Sequence, residues 1–281
     1  MMNVLNQIVA WLDAAADAVG GPLLAFVGSM PGWLSATIVA AVTGVLLLVV
    51  FKYTSKQDAI KKVRNGINAE LLALKLFKDS PEVALRAQGR IVAGAGKLFV
   101  LAIVPMLAMA VPVTLMLGQL SVWYQARPLK VGEETVVTLR LNGDPKGPPP
   151  PVALEPDDGF EVTLGPVRAG KLPEFCWIIK GRRDGEHRAV VRVGEATAEK
   201  QVAVGDRMMR VSALRPGWRW SDMLLYPWEP PFRPDSPFRS IEVVYPRRSS
   251  WTSGTDNWVI YWFVASFVAA LAFRRALNVN V

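Results

Sequence analysis

Hydrophobic positions along this chain come in long blocks. Leu34 to Phe51 is an unbroken, almost wholly apolar run of 18 residues, and no charged residue lies between Asp17 and Lys52. Leu98 to Gly118 adds 21 uncharged positions. At about 1.5 Å per helical residue that run is about 31 Å long, which matches the hydrocarbon core of a bilayer. Asn257 to Phe273 is a third uncharged run, near the short end of the spanning range. The pattern predicts three transmembrane helices.

Between the first two blocks the period changes. Ile60, Val63, Ile67, Leu71 and Leu74 recur at three- and four-residue intervals, so a helix from about Lys56 to Lys78 has one apolar face. The chain then reads Asp79-Ser80-Pro81-Glu82. Ser80 suits an N-cap, Pro81 the first helical position, and Glu82 the positive end of the helix dipole. A second helix starting there runs through Val83, Leu85, Ile91 and Val92 towards the second span, which makes an antiparallel helical hairpin. At the start of the chain Val4, Leu5, Ile8, Val9 and Leu12 share one side of a helix, with Asp13 and Asp17 breaking the pattern. Gly20-Gly21-Pro22 and Pro31-Gly32 interrupt the chain between this helix and the first span. No Lys or Arg precedes position 52, so the basic start of a secretory leader is missing, and the segment reads as a helix lying in the membrane interface.

From Gly132 the alternation becomes strand-like. Strands are expected at Thr135 to Arg140, Glu161 to Leu164, Phe175 to Lys180, Arg188 to Val193 and Lys200 to Val204. Turn signals separate them, at Asn142-Gly143-Asp144, Gly147 to Pro151, Asp157-Asp158-Gly159, Arg183-Asp184-Gly185 and Val193-Gly194. Short strands at this spacing predict a small antiparallel β-sandwich of immunoglobulin-like type, modest enough in size to lean on the membrane or a partner. Residues 206–256 carry Trp218, Trp220, Tyr226, Trp228, Phe232 and Phe238 among seven prolines and read as an irregular segment on the membrane surface or a docking surface, with Ile241 to Tyr245 as a further strand. The expected order is an interfacial helix (1–30), a first span (31–53), the hairpin (54–96), a second span (97–120), the β-sandwich (121–205), the Trp- and Pro-rich segment (206–256), a third span (257–275) and a tail (276–281).

Charge orients this arrangement. Residues 52 to 97 contain ten Lys or Arg against four acids, and Arg274 and Arg275 come after the third run, so these two pieces account for the whole net charge of +8. By the positive-inside rule both are cytoplasmic, which places the N-terminus and the β-domain outside the inner or plasma membrane. Trp33, Trp123, Tyr124, Trp258, Tyr261 and Trp262 then fall near the outer ends of the spans. Because topology accounts for the basic excess, no nucleic-acid partner is expected; the partners are the lipid bilayer and other membrane proteins.

Candidate chemistry is sparse. With one His and one Cys, neither a His-based metal cluster nor an internal disulfide is expected. Cys176 falls in an apolar strand pattern and reads as a core residue; His187 reads as a surface residue. Phosphate-binding glycine loops and a nucleophile elbow are missing from the sequence, so no enzyme, catalytic residue or cofactor is expected. Polar groups at membrane depth are the ones that would meet a client chain: Thr37 and Thr43 on the first span, with Ser35, then Thr114 and Gln119 on the second, and Ser266 on the third. Pro105 and Pro112, seven residues apart, each remove a backbone hydrogen bond and can kink the second span. Candidate partner contacts are Lys61, Lys62, Arg64, Arg86 and Arg90 on the hairpin and Trp218, Trp220 and Trp228 outside.

The stretch "IKKVRNGINAELLALKLFKDSPEVALRAQGRI" together with "KLFVLAIVPMLAMAVPVTLMLGQL" after it resembles the hairpin and subsequent Pro-containing helix of the YidC/Oxa membrane-protein insertase superfamily, most closely its small three-span members. The resemblance covers roughly residues 34 to 120 and, loosely, 257 to 275. It implies spans enclosing a hydrophilic groove that eases polar client segments into the bilayer, and hence a role in insertion or assembly of membrane proteins. The large outer domain leaves a second expectation open, a non-catalytic accessory subunit that anchors a β-sandwich to a larger membrane complex.

Overall fold

The computed structural model describes residues 4, 6–12, 14, 18, 30–76, 81–143, 150–168, 173–253 and 257–279. Several expectations lie outside them: Leu5, Asp13 and Asp17, the Gly20-Gly21-Pro22 break, Lys78 to Ser80 with the expected N-cap, Asp144, and Gly147 to Pro149. The chain divides into two compact units, one of Met1–Thr37 with Thr114–Trp262 and one of Ile38–Val113 with Phe263–Val281.

Helix α1 spans Gly32–Thr54 and is uncharged until Lys52 in its last turn. Helix α2, Gln57–Leu76, carries Asp58 in its first turn and Lys75 in its last, both matching the helix dipole. Helix α3, Pro81–Tyr124, is 44 residues long. It joins the expected second arm and the second apolar run without a break. Pro81 and Glu82 begin it as the sequence suggests, and the helix continues through Pro105 and Pro112. Two missing hydrogen bonds in so long a helix leave the remaining ladder to carry it. Helices α1 and α3 are long and apolar enough to cross a membrane, and the apolar window of α3 is only 6% buried within the chain. The last long helix, Asn257–Phe273, is apolar but has 17 residues.

In the unit that contains α2, the two arms of the hairpin touch. Glu70 accepts from Arg90 at 3.1 Å, and the Gly94 backbone lies so close to Ile67 that a Cβ there would stand 2.7 Å from Ile67 Cγ1. Ile60 and Ala87 are buried, whereas Leu71, expected on the inner face, is half exposed together with Leu72, Leu76, Leu85 and Val92.

The other unit holds, among the described residues, eight strands: β1 Glu134–Leu141, β2 Val152–Leu154, β3 Phe160–Arg168, β4 Glu174–Gly181, β5 Gly185–Val193, β6 Ala196–Val204, β7 Leu214–Arg215 and β8 Phe238–Val243, with helix α4, Trp220–Leu225, before β8; α5, Asn257–Phe273, follows, and only its start to Trp262 belongs to this unit. The strands form a five-stranded antiparallel sheet in the order β3-β4-β1-β8-β7 and a three-stranded one in the order β2-β5-β6. In register, Val137 of β1 pairs with Trp177 of β4 and with Val243 of β8. One apolar cluster draws on both sheets, with Val137, Leu139, Trp177, Ile179 and Ile241 from the first and Ala189, Val191, Val202 and Val204 from the second. β2 and β7, at three and two residues, are too short for alternation to reveal.

Three placements differ from the sequence reading. β4 alternates strictly, burying Phe175, Trp177, Ile179 and Gly181, so Cys176 faces away from the core, half-buried with its sulfur 3.7 Å from Thr138 Oγ1. His187 is not a surface residue. Its side chain is 14% exposed, packs over Gly159 where any Cβ would collide with the ring, donates from Nε2 to the Arg183 carbonyl at 2.8 Å, and stands 3.3 Å from Asp157 Oδ1. Residues 206–256 do more than lie on a surface: they supply β7, α4 and β8, and Met209, Val211, Phe232, Phe238, Ile241, Val243 and Tyr245 join the core.

Candidate functional site

The polar groups expected at membrane depth are tied to the helices that carry them. Thr37 Oγ1 donates to its own helix at the Trp33 carbonyl (2.7 Å) and lies 2.6 Å from the Tyr261 hydroxyl of α5. Ser35, fully buried, meets the Tyr124 hydroxyl at the end of α3 at 2.5 Å, and Tyr124 stacks on Trp258 with centroids 6.5 Å apart. Thr43 donates back to Ala40 O at 3.1 Å, and Ser266 to Phe263 O at 3.0 Å. Thr114 is half-buried on α3. Gln119 differs, because it is buried and its amide nitrogen has no hydrogen-bond partner among the described residues. Just before it, Gly118 packs so tightly that a Cβ would stand 2.5 Å from Leu224 O of α4, which fixes the end of α3 against that short helix.

The hairpin cations are exposed. Arg86 pairs with Glu82 one turn earlier at 2.6 Å, and Arg90 reaches Glu70 of the facing arm. Lys61 and Lys62 are exposed and enter no ion pair among the described residues. Arg64 is exposed on the same helix. Pairs this exposed contribute about 0–1 kcal/mol each, so these charges are available to a partner or to anionic surroundings. Around them Leu71, Leu72, Leu76, Leu85 and Val92 present apolar side chains.

The three tryptophans separate. Trp228 donates through its indole to Gln201 Oε1 at 2.5 Å and is covered by the Arg210 guanidinium 3.7 Å from its ring centroid. Trp218 is half-buried, and its carbonyl accepts from Asn6. Only Trp220, 45% exposed, offers its ring outward. Asn6 is the piece that sequence reasoning missed. It is buried, donates to Trp218 O at 2.8 Å and accepts from Trp220 N at 3.1 Å, clamping the N-terminal helix beside α4. The exposed side chains next to that clamp are Ile8, Trp11, Leu12, Trp220 and Leu225. This is an apolar surface on the unit that holds both the end of α3 and the β-domain.

A buried ionic network was also missed. Lys200 Nζ, with no exposed surface, donates to Glu229 Oε1 (2.5 Å), Ser212 O (2.6 Å) and Gln201 O (3.1 Å). Ser212 Oγ donates to the same carboxylate, and Gln201 N donates to its other oxygen at 3.2 Å. Burial pushes the Lys200 ammonium below its ordinary range, and the Glu229 charge works against that shift. All three Lys200 donors are matched, so the pair is a satisfied tie between β6 and the segment after α4. Its signal was present in the strand alternation, which sets Lys200 on the same face as Ala198 and Val202.

No family model matches the chain, and no curated protein or solved structure matches it.

Proposed function

We propose that the chain is an integral membrane protein of the inner or plasma membrane with an insertase-like helical core, which assists the insertion or assembly of other membrane proteins. The observation that carries the proposal is the hairpin. It is an amphipathic arm paired with the base of a membrane-length helix, with Lys61 and Lys62 outside any ion pair among the described residues and five exposed aliphatic side chains further along the same hairpin. Left in water, such a surface costs free energy for every apolar side chain; a hydrophobic client segment or partner helix would cover it. In this reading α5 is a third span. Its 17 residues reach about 26 Å, enough to cross when flanked by interfacial Trp258 and by Arg274 and Arg275. The hairpin and tail are then cytoplasmic, and the two sheets form an outer sandwich of immunoglobulin-like type.

A second reading is a non-catalytic accessory subunit that holds the β-domain against a larger membrane complex. The bonding of Ser35, Thr37, Thr43 and Ser266 within the helices favours it, since groups already satisfied offer less to a passing client.

Reconstitution separates the two. Purified full-length protein in liposomes is expected to raise insertion of a short-tailed client above empty liposomes, and Lys61→Glu with Lys62→Glu to lower that gain several-fold. No gain for any client, together with one stoichiometric complex after gentle detergent extraction, overturns the insertase reading in favour of the subunit.

A further inference from the structure

A cleft of about 1170 Å³ opens in the unit that carries the β-domain, between the first turn of α1, the last turn of α3 and the segments 206–210 and 248–253. Its walls are of two kinds. Met30, Trp33 and Met208 are apolar, and Trp33 is 60% exposed. Two guanidinium groups line the same cleft. Arg210 lies over two rings, its guanidinium carbon 3.7 Å from the Trp228 centroid and 5.8 Å from that of Trp123, and contact with ring faces does not consume its N–H donors. Arg248 donates from Nε to Ala126 O at 2.8 Å, while its Nη2 is buried without a hydrogen-bond partner among the described residues.

The carboxylates around this cleft do not neutralise the two arginines. Asp206 lies 3.9 Å from Lys130, and Arg207 lies 4.0 Å from Asp184, so those charges are matched at the mouth. Among the described residues neither Arg210 nor Arg248 enters an ion pair, which leaves Glu186 as the lining carboxylate outside those pairs. The first turn of α1 also lines the cleft and brings the positive end of that helix dipole to it. Two guanidinium groups lining one cleft outside any ion pair among the described residues suit an anion that accepts charge-assisted hydrogen bonds from their accessible N–H groups.

We propose that this cleft binds the phosphate headgroup of an anionic lipid, with Arg210 and Arg248 on the phosphate and Trp33, Met30 and Met208 beside the glycerol and upper acyl chain. The placement argues for a lipid as the source of the phosphate. Trp33 and Trp123 belong to the terminal turns of the two helices that are long enough to cross a membrane, the level at which headgroups lie. The proposal rests on the membrane reading of α1 and α3 and is independent of insertase activity. Release of the protein from membranes by alkaline carbonate would sink the first without any lipid measurement.

The test uses full-length protein in a non-ionic detergent, titrated with short-chain phosphatidylglycerol, short-chain phosphatidylcholine and glycerol phosphate, with binding read by calorimetry and native mass spectrometry. Phosphatidylglycerol is expected to bind saturably and at least tenfold more tightly than phosphatidylcholine. Arg210→Gln and Arg248→Gln are each expected to weaken it at least tenfold, about 1.4 kcal/mol, with Arg188→Gln, outside the cleft, unchanged. If Arg248→Gln lowers the melting temperature, Arg210→Gln carries the comparison, because its side chain stacks on a surface and ties no backbone group. Equal affinity for the two lipids, or indifference to both substitutions, overturns the proposal. Glycerol phosphate binding as tightly as the lipid assigns the cleft to a soluble anion and overturns the lipid source.

Discussion

Glu133 stands where the chain leaves α3 for the β-domain, and its surroundings decide its charge. Arg127 grips it with two parallel bonds, Nη1 to Oε2 at 2.7 Å and Nη2 to Oε1 at 2.8 Å, and Lys130 N donates to Oε2 at 2.9 Å. The Arg127 hydrogen bond, more than any other contact, holds the carboxyl down at about 2. The folded protein therefore binds this proton more weakly than the unfolded chain does. The stabilisation is complete above the unfolded value of about 4.5 and is lost as pH falls towards 2. Solvent reaches the pair, so screening limits it to about 1 kcal/mol despite the size of the shift. Glu133→Gln is expected to lower stability by about that amount at pH 7 and to match the parent near pH 2, measured by thermal melting across that range. A gap that stays constant with pH would show that the cost comes from packing and not from charge. Lys200 and Glu229 obey different physics. Both are shut away from water, and removing one partner strands the other charge where no solvent can compensate.

At the scale of elements, glycines mark where helices meet. A Cβ on Gly44 of α1 would collide with the backbone of Ser266 in α5, and backbone cannot swing aside as a side-chain tip can. A Cβ on Gly66 of α2 would meet nothing within 4 Å. Gly44→Ala is accordingly expected to destabilise the α1–α5 contact by about 1–3 kcal/mol, through forced displacement of close-packed helices. Gly66→Ala should stabilise α2 by about 0.5–1 kcal/mol through lost unfolded-state freedom. Melting temperatures in detergent that shift in the same direction for both would contradict this account. The elements themselves were largely legible. Uncharged runs gave α1, α3 and α5, a helical period gave α2, and alternation gave β1, β3, β4, β5 and β6 within a few residues of their ends. The hidden features depend on contacts far apart in sequence. No local pattern announces that Gly44 faces Ser266, that Asn6 clamps the chain at Trp218 and Trp220, or that the two residues of β7 add an edge to β8. The site was legible as residue types and less so as geometry. Thr37 and Trp228 stand out in the sequence as polar and aromatic, but their partners Tyr261 and Gln201 lie 224 and 27 positions away.

For the whole molecule, orientation is the property on which the functional readings depend, and charge alone argues for it. Moving the basic segment 52–97, net +6, across a bilayer against a membrane potential is opposed by every one of its cations, whereas residues 119–256 carry a net of only +2 over three times the length. The single native cysteine, half-buried on β4, makes the question tractable, because Cys176→Ser clears the background with little loss to the core. Three single-cysteine variants then divide the possibilities. Arg183→Cys lies on the exposed turn between β4 and β5, Leu76→Cys at the end of α2, where the leucine is 76% exposed, and Asn278→Cys in the tail beyond α5. In intact cells a membrane-impermeant maleimide is expected to label position 183 and to reach 76 and 278 only after permeabilisation. Labelling at 76 but not at 183 would invert the protein and remove the hairpin from the cytoplasm. Labelling at both 183 and 278 would leave the hairpin inside but show that α5, at 17 residues, turns back without crossing. The insertase-like core would then lack its third span, and the accessory-subunit reading would be the one left standing.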